Sequence, residues 1–192
     1  GVVLSSAAKE YMKVYGVLVG RKPIIFTNND SAYETAFEFK KNNVEPIILD
    51  TREEHDSEVV QEAKNKGIQI KFSYGVIVAN GYKKVKSAKI GKLTKDKKSF
   101  ESTETIKCDC ICVSGFWTPT IHLASQSGNK TKFKEEIDAF VPGKSKQNET
   151  TLGAANGIFS LEETLKTSFE AGNEISKKIT KNQNKVSIPN VV

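Results

Sequence analysis

Short uninterrupted apolar runs alternate with amphipathic stretches along the first half of the chain. Ser5 to Tyr15 predicts a short helix with Ala8, Tyr11, Met12 and Tyr15 on one side. Pro23-Ile24-Ile25-Phe26-Thr27 is a continuous apolar run, the pattern of a strand covered on both faces in a parallel sheet. Asn28-Asn29-Asp30-Ser31 supplies turn and cap chemistry, and Ala32 to Lys41 predicts a helix with Ala32, Ala36, Phe37 and Phe39 apolar. Asn42-Asn43 ends that helix, and Val44 to Leu49 is a second strand that closes at Asp50. Together they make a βαβ unit of about 30 residues. A further helix over Ser57 to Lys66 turns Val59, Val60 and Ala63 inward and stops at Gly67, and Ile68 to Phe72 is a third strand.

The pattern then changes. Val76 to Ala79, Val85 to Leu93 and Phe100 to Lys107 are half-polar strands separated by glycines and lysine-rich turns, which predicts an antiparallel meander. Cys108 to Val113 is again continuous and apolar, and period-two alternation puts Cys108, Cys110 and Cys112 on one face as small hydrophobes. Beyond it lie a turn over Ser114 to Pro119, a short helix over Thr120 to Ser127, and a hairpin or irregular crossing over Lys132 to Val141. A small-residue turn follows at Gly153 to Gly157, and a long helix from Leu161 to Lys181 carries Leu161, Leu165, Phe169, Ile175 and Ile179. The last ten residues read as a frayed tail.

Composition narrows the classes. In 192 residues, 38% are hydrophobic and 27% charged, enough apolar side chain to build a core and too little bias for a disordered or fibrous chain. No run approaches the roughly 18 apolar residues of a membrane span, and no signal-peptide pattern opens the chain. Three cysteines make no disulfide framework, so a reducing compartment, the cytoplasm, is expected. The net charge of +6 comes almost wholly from lysine, Arg21 and Arg52 being the two arginines. The lysines cluster in turns and past a helix end without interleaved aromatics, so a solvated surface is expected and no nucleic-acid partner.

Candidate chemistry is sparse. A strand, a turn, a helix and a second strand ending in an acid form the scaffold for a dinucleotide. Here Thr27, Asn29 and Ala32 hold the three positions that are normally glycine or alanine, and Asp50 lies 21 residues beyond Asn29, where an acid can accept from a ribose hydroxyl. One reading keeps the scaffold as structure alone. The other keeps the helix N-terminus as an anion site, with Asn29 and Ser31 as side-chain donors. His55, among Glu53, Glu54 and Asp56, reads as part of a solvated turn; His122 reads as a surface or packed residue; Trp117 reads as packing beneath its turn. Neither metal-ligand spacing nor a nucleophile–base pair is present in the sequence, and no catalytic residue is assigned.

The run Thr27-Asn28-Asn29-Asp30-Ser31-Ala32-Tyr33-Glu34-Thr35-Ala36 resembles the GGGDSAxEEA segment that opens the nicotinamide domain of thioredoxin-reductase-like flavoproteins, with its glycines replaced. With Gly1-Val2-Val3-Leu4, Tyr15-Gly16-Val17, Ser114-Gly115-Phe116-Trp117-Thr118-Pro119 and Gly153-Ala154-Ala155-Asn156-Gly157, the chain resembles the alpha-subunit family of heterotetrameric sarcosine oxidases from Gly1 to about Gly172. The resemblance implies an α/β, three-layer Rossmann-like FAD/NAD(P)-binding fold: an inserted nicotinamide-type domain plus the closing part of an outer dinucleotide domain. It divides the chain into a connecting helix (1–19), the inserted domain (20–107), the closing portion (108–181) and the tail (182–192), with the chain, which starts at Gly1, expected to be a piece of something longer.

The same resemblance implies NAD as the cofactor touched here, with FMN and FAD belonging to the complex, and beta, gamma and delta subunits as partners. It matches Gly153 to Gly157 to a GDAAG-like turn against the cofactor, where Ala154 replaces the usual Asp and removes a carboxylate suited to a ribityl hydroxyl. The expected cofactor-binding set is therefore Gly153, Ala154, Ala155, Asn156, Gly115, Trp117, Thr27, Asn29, Ser31 and Asp50. A nicotinamide-using reductase fragment and a non-catalytic assembly scaffold remain the alternatives.

Overall fold

The computed structural model describes residues 1–115 and 117–179, and the chain divides into two units, Gly1–Phe116 and Trp117–Val192. The tail expected from 182 onward lies outside the described residues. The first unit is built on a five-stranded sheet of β1 (Val2–Leu4), β2 (Pro23–Thr27), β3 (Ile47–Asp50), β4 (Gln69–Phe72) and β8 (Cys110–Ser114), in the order β1-β8-β2-β3-β4 with every pair parallel. Helices α1 (Ser5–Lys13), α2 (Tyr33–Lys41) and α3 (Glu58–Asn65) connect the strands, and the antiparallel strands β5 (Tyr74–Gly81), β6 (Val85–Leu93) and β7 (Phe100–Lys107) form a separate sheet.

Strand alternation explains why the central runs are apolar without interruption. Ile25, Ile48, Cys110 and Cys112 pack into one cluster with Ala8 and Met12 of α1, Ala36, Phe37 and Phe39 of α2, and Val60 and Ala63 of α3. Their neighbours Ile24, Leu49 and Ile111 point the opposite way, into a cluster with Ala88 and Ile90 of the meander. The result is three layers: helices, parallel sheet, meander. The inner strands β2, β3 and β8 thus bury side chains on both faces, which a helix layer alone would not require, while Val2 and Leu4 of the edge strand β1 stay exposed.

Several local expectations shift. The helix that follows β2 opens with a 3-10 turn, Asp30–Ala32, before α2 begins at Tyr33. In α1, Ala8 and Met12 are buried, while Tyr11 and Tyr15 sit on the outer flank with their rings 6.0 Å apart. Cys108 does not share a face with the other two cysteines. It precedes β8, donates its N–H to the carbonyl of Lys86, and packs into the meander-side cluster; Cys110 and Cys112 face the helices with their sulfurs 3.7 Å apart. Period-two reasoning holds only from the residue where the strand starts, and this strand starts at Cys110. The boundary drawn at residue 107 falls inside the first unit, because β8 slots between β1 and β2 as the second strand of the parallel sheet.

The entry of the chain into β2 is fastened to β8. The Asp109 carboxylate accepts from the N–H of Arg21 at 2.9 Å and of Lys22 at 2.8 Å. Gly20 fits there because it has no side chain: a Cβ would lie 2.5 Å from that of Cys110 and 2.8 Å from Oδ1 of Asp109. The second unit contains α4 (His122–Gln126), a hairpin of β9 (Thr131–Lys134) and β10 (Ala139–Pro142), a 3-10 turn at Gly153–Asn156 and α5 (Leu161–Ile179). In α5 the apolar positions Leu161, Leu165, Ile175 and Ile179 remain exposed, and no helix among the described residues is long and apolar enough to cross a membrane.

Gly20→Ala tests this close approach. The substitution is expected to destabilise the chain by roughly 1–3 kcal/mol, the usual cost of overpacking, seen as a lower urea midpoint at unchanged slope. An unchanged midpoint would contradict the contact.

Candidate functional site

In open α/β sheets a ligand crevice lies beyond the carboxyl ends of neighbouring strands whose connections diverge. Here those strands are β2 and β8, ending at Thr27 and Ser114, which pair directly. The turn after β2 is tied by its own side chains. Thr27 Oγ1 donates to the carbonyl of Asn29 at 2.8 Å and accepts the Asn29 N–H at 3.1 Å. The Asn29 side chain caps the following 3-10 turn, its Oδ1 accepting from the N–H and the hydroxyl of Ser31 at 3.2 and 2.6 Å. The other end of the same amide crosses to β8: Nδ2 donates to the carbonyl of Gly115 at 2.7 Å and to the hydroxyl of Ser114 at 3.2 Å.

Asp50, at the end of β3, is fully buried. Its carboxylate receives Nε and Nη2 of Arg52 at 3.0 and 2.8 Å, the backbone N–H of Arg52 at 3.0 Å, and the hydroxyl of Tyr33 at 2.9 Å. Arg52 Nη2 also reaches Asp30 Oδ1 at 2.6 Å, so one guanidinium bridges two carboxylates. Burial, then the Asp50 charge and hydrogen bond, push the Tyr33 hydroxyl well above the usual tyrosine range. Burial alone would lower the pKa of Arg52, but its hydrogen bonds to Asp50 and Asp30 outweigh that and raise it.

Thr27, Asn29 and Ser31 lie on one turn, Asp50 lies at the end of the neighbouring strand, and Gly115 joins the turn through its carbonyl. Sequence reasoning missed Tyr33, Arg52, Asp30 and Ser114. Arg52 carried a signal, as one of two arginines and two residues past the acid. The turn around His55 is solvated, with Glu53, Glu54 and Asp56 exposed, but the His55 ring is half-buried: it packs edge-on against Phe72 at 5.5 Å, Nδ1 meets the Glu53 carbonyl at 3.0 Å, and Nε2 lies 3.7 Å from Asp30. No cluster of His, Cys, Asp and Glu among the described residues could hold a metal ion.

The remaining expected residues belong to the second unit. Gly153 and Gly157 adopt φ of 61° and 74°, and bracket a 3-10 turn that positions Ala154, Ala155 and Asn156. A Cβ on Gly153 would approach Cγ2 of Thr164 to 3.0 Å, so glycine lets the turn sit down on the start of α5. Trp117 is more than half exposed, with its ring 6.5 Å from that of Phe159, and so is not a packed residue beneath its turn. His122 is exposed at the start of α4.

No family model matches the chain. The resemblance read from the motifs is borne out by similarity to curated proteins named sarcosine oxidase subunit alpha. The chain is 28% identical over 175 residues to that of Corynebacterium sp. (strain P-1), covering 90% of this chain and 18% of the relative. It is 32% identical over 157 residues to that of Rhizobium meliloti (strain 1021), covering 81% of this chain and 15% of the relative. The chain therefore spans less than a fifth of the length of the curated relatives it matches. Among solved structures, it is similar to thioredoxin reductase of T. acidophilum (TM-score 0.60, 14% identity, 94% of this chain and 58% of that one). It is also similar to an HOCl-induced flavoprotein disulfide reductase from Escherichia coli (TM-score 0.61, 12% identity, 91% and 39%). These establish the α/β fold of FAD/NAD(P)-binding reductase domains.

Two outcomes follow from the Asp50 network. Arg52→Met leaves a buried carboxylate without its cation and is expected to cost about 3–5 kcal/mol in urea unfolding; a loss below about 1 kcal/mol, the value of a surface pair, would contradict the geometry. Tyr33 is held protonated in the folded state, so its contribution is complete below the unfolded pKa of about 10 and is lost as pH rises beyond it. Tyr33→Phe should therefore show a shallower loss of stability between about pH 9 and 11 than the native chain; identical slopes would place the hydroxyl in solvent.

Proposed function

We propose that the chain is a segment of the alpha subunit of a sarcosine-type amine oxidase, an oxidoreductase complex that demethylates sarcosine to glycine, reducing oxygen to hydrogen peroxide and releasing the methyl carbon as formaldehyde or methylene-tetrahydrofolate. The observation that carries this reading is the match to proteins of that name along 90% of the chain. Beta, gamma and delta subunits would complete the complex, and FMN and FAD would do the redox chemistry outside this segment. None of its residues is assigned a catalytic role. Three free, buried thiols suit a cytoplasmic complex.

The segment's share of cofactor binding is contact with NAD through the second unit. NAD, when bound, supplies a pyrophosphate, two riboses and two aromatic rings to be held. The turn at Gly153–Asn156 fits such a ligand: two left-handed glycines keep it tight, Ala154 and Ala155 put methyl groups where longer side chains would obstruct, and Asn156 offers an amide donor and acceptor. With Ala154 in place of an acid, the turn has no carboxylate to grip a flavin ribityl chain. Trp117, in the same unit, completes the contact set there. The first unit serves as a wall of the subunit interface.

Calorimetric titration of NAD into the purified chain tests the cofactor reading. Binding tighter than about 100 μM, or roughly −5.5 kcal/mol, is expected, and Asn156→Ala is expected to weaken it several-fold. Absence of heat, or binding indifferent to Asn156→Ala, would contradict it.

A further inference from the structure

We infer that the first unit keeps the architecture of a dinucleotide-binding domain with its dinucleotide site closed by its own side chains: Thr27 and Asn29 occupy the phosphate position, and Tyr33 and Arg52 occupy the ribose acceptor. A Rossmann-type turn binds pyrophosphate because glycines bring bare backbone N–H groups up to it. In this turn two of the donors are already taken. The Asn29 N–H is given to Thr27 Oγ1, and the Ser31 N–H to Asn29 Oδ1, so two side-chain oxygens stand where phosphate oxygens would. The Asn29 amide then spans the crevice from β2 to β8, fastened to Gly115 and Ser114. An anion entering here meets an amide bridge and the Asp30 carboxylate beside it.

The ribose position is closed by a count of lone pairs. A carboxylate offers about four acceptor sites, and Asp50 receives four donors from Tyr33 and Arg52. None remains for a ribose hydroxyl. The charge of Arg52 is already balanced by Asp50 and Asp30, which weakens its pull on a phosphate. The five expected contacts in this unit, Thr27, Asn29, Ser31, Asp50 and Gly115, thus bind one another and their neighbours instead of a cofactor. Thr27 and Asn29 are specificity-determining by exclusion: they confine pyridine nucleotide to sites other than this one and remove hydride delivery from this unit. The inference rests on the first unit alone and stands whatever the second unit's turn binds.

The test is hydrogen–deuterium exchange on the whole chain with NAD at about 1 mM, a concentration that detects even weak sites. In the native chain, exchange over residues 23–41 is expected to be unchanged by NAD; protection there would overturn the inference. Protection over 150–160 reports separately on the reading of the second unit, so the two fail independently. The double variant Thr27→Gly, Asn29→Gly is expected to gain NAD-dependent protection over 23–41, with affinity rising about tenfold or more as freed N–H groups form charge-assisted bonds to phosphate. A folded double variant that gains nothing would show that these side chains are not what closes the site. Asn29→Asp keeps the cap acceptor and adds a negative charge; it serves as the control and should stay closed. Should the double variant lose cooperative unfolding, Asn29→Gly alone carries the test, with the same two outcomes.

Discussion

The first unit depends on a single buried charge. Asp50 sits at the end of a central strand with no exposed surface, and an ionised carboxylate in that position is tolerable only if its lone pairs are filled and its charge is balanced. Arg52 does both, folding back two residues later to present Nε and Nη2, and Tyr33 completes the set from the first turn of α2. This ties the N-terminal end of α2 to the end of β3. Through Asp30 it also ties the turn after β2 to the same guanidinium. The relative positions of β2, α2 and β3 therefore follow from one ion cluster as much as from their shared hydrophobic face.

That cluster and the Thr27–Asn29 turn together change the meaning of the fold. A Rossmann-like scaffold leaves polar vacancies at the carboxyl end of its sheet, and a bound dinucleotide normally fills them. In this chain the vacancies are filled by hydrogen bonds from the protein's own side chains, Thr27 and Asn29 on the turn and Tyr33 and Arg52 around Asp50. The polar groups are then satisfied in the absence of ligand, which stabilises the empty domain and removes its affinity in the same stroke. A domain altered in this way can serve as structure without a ligand of its own.

The layering was legible in the sequence because its cause is local. Continuous runs such as Pro23–Thr27 and Cys108–Val113 announce strands buried on both sides, the second beginning two residues late and ending one residue late, and the boundaries of β6 and β7 follow from glycine and lysine turns. What could not be read was anything set by partners distant in sequence. Cys108 looks like a strand residue until β8 is seen to begin two positions later. Tyr11 sits at helical spacing (i, i+3) from buried Ala8 yet faces outward, because the face of α1 is chosen by α2 and the sheet. The missing glycines at Thr27 and Asn29 were visible; that their side chains would satisfy the turn depended on Ser114 and Gly115, more than eighty residues away. Asp50 read as a ribose acceptor because spacing shows where an acid lies and not what already binds it.

The central claim is that the crevice between β2 and β8 belongs to the protein's own side chains. The most direct measurement is a crystal structure of the chain grown with millimolar NAD. The account predicts the Thr27–Asn29–Ser31 bonds and the Asp50–Arg52–Tyr33 cluster intact, with any nucleotide density elsewhere. Pyrophosphate density over Asn29, with Thr27 and Asn29 rotated away and a ribose hydroxyl on Asp50, would contradict it.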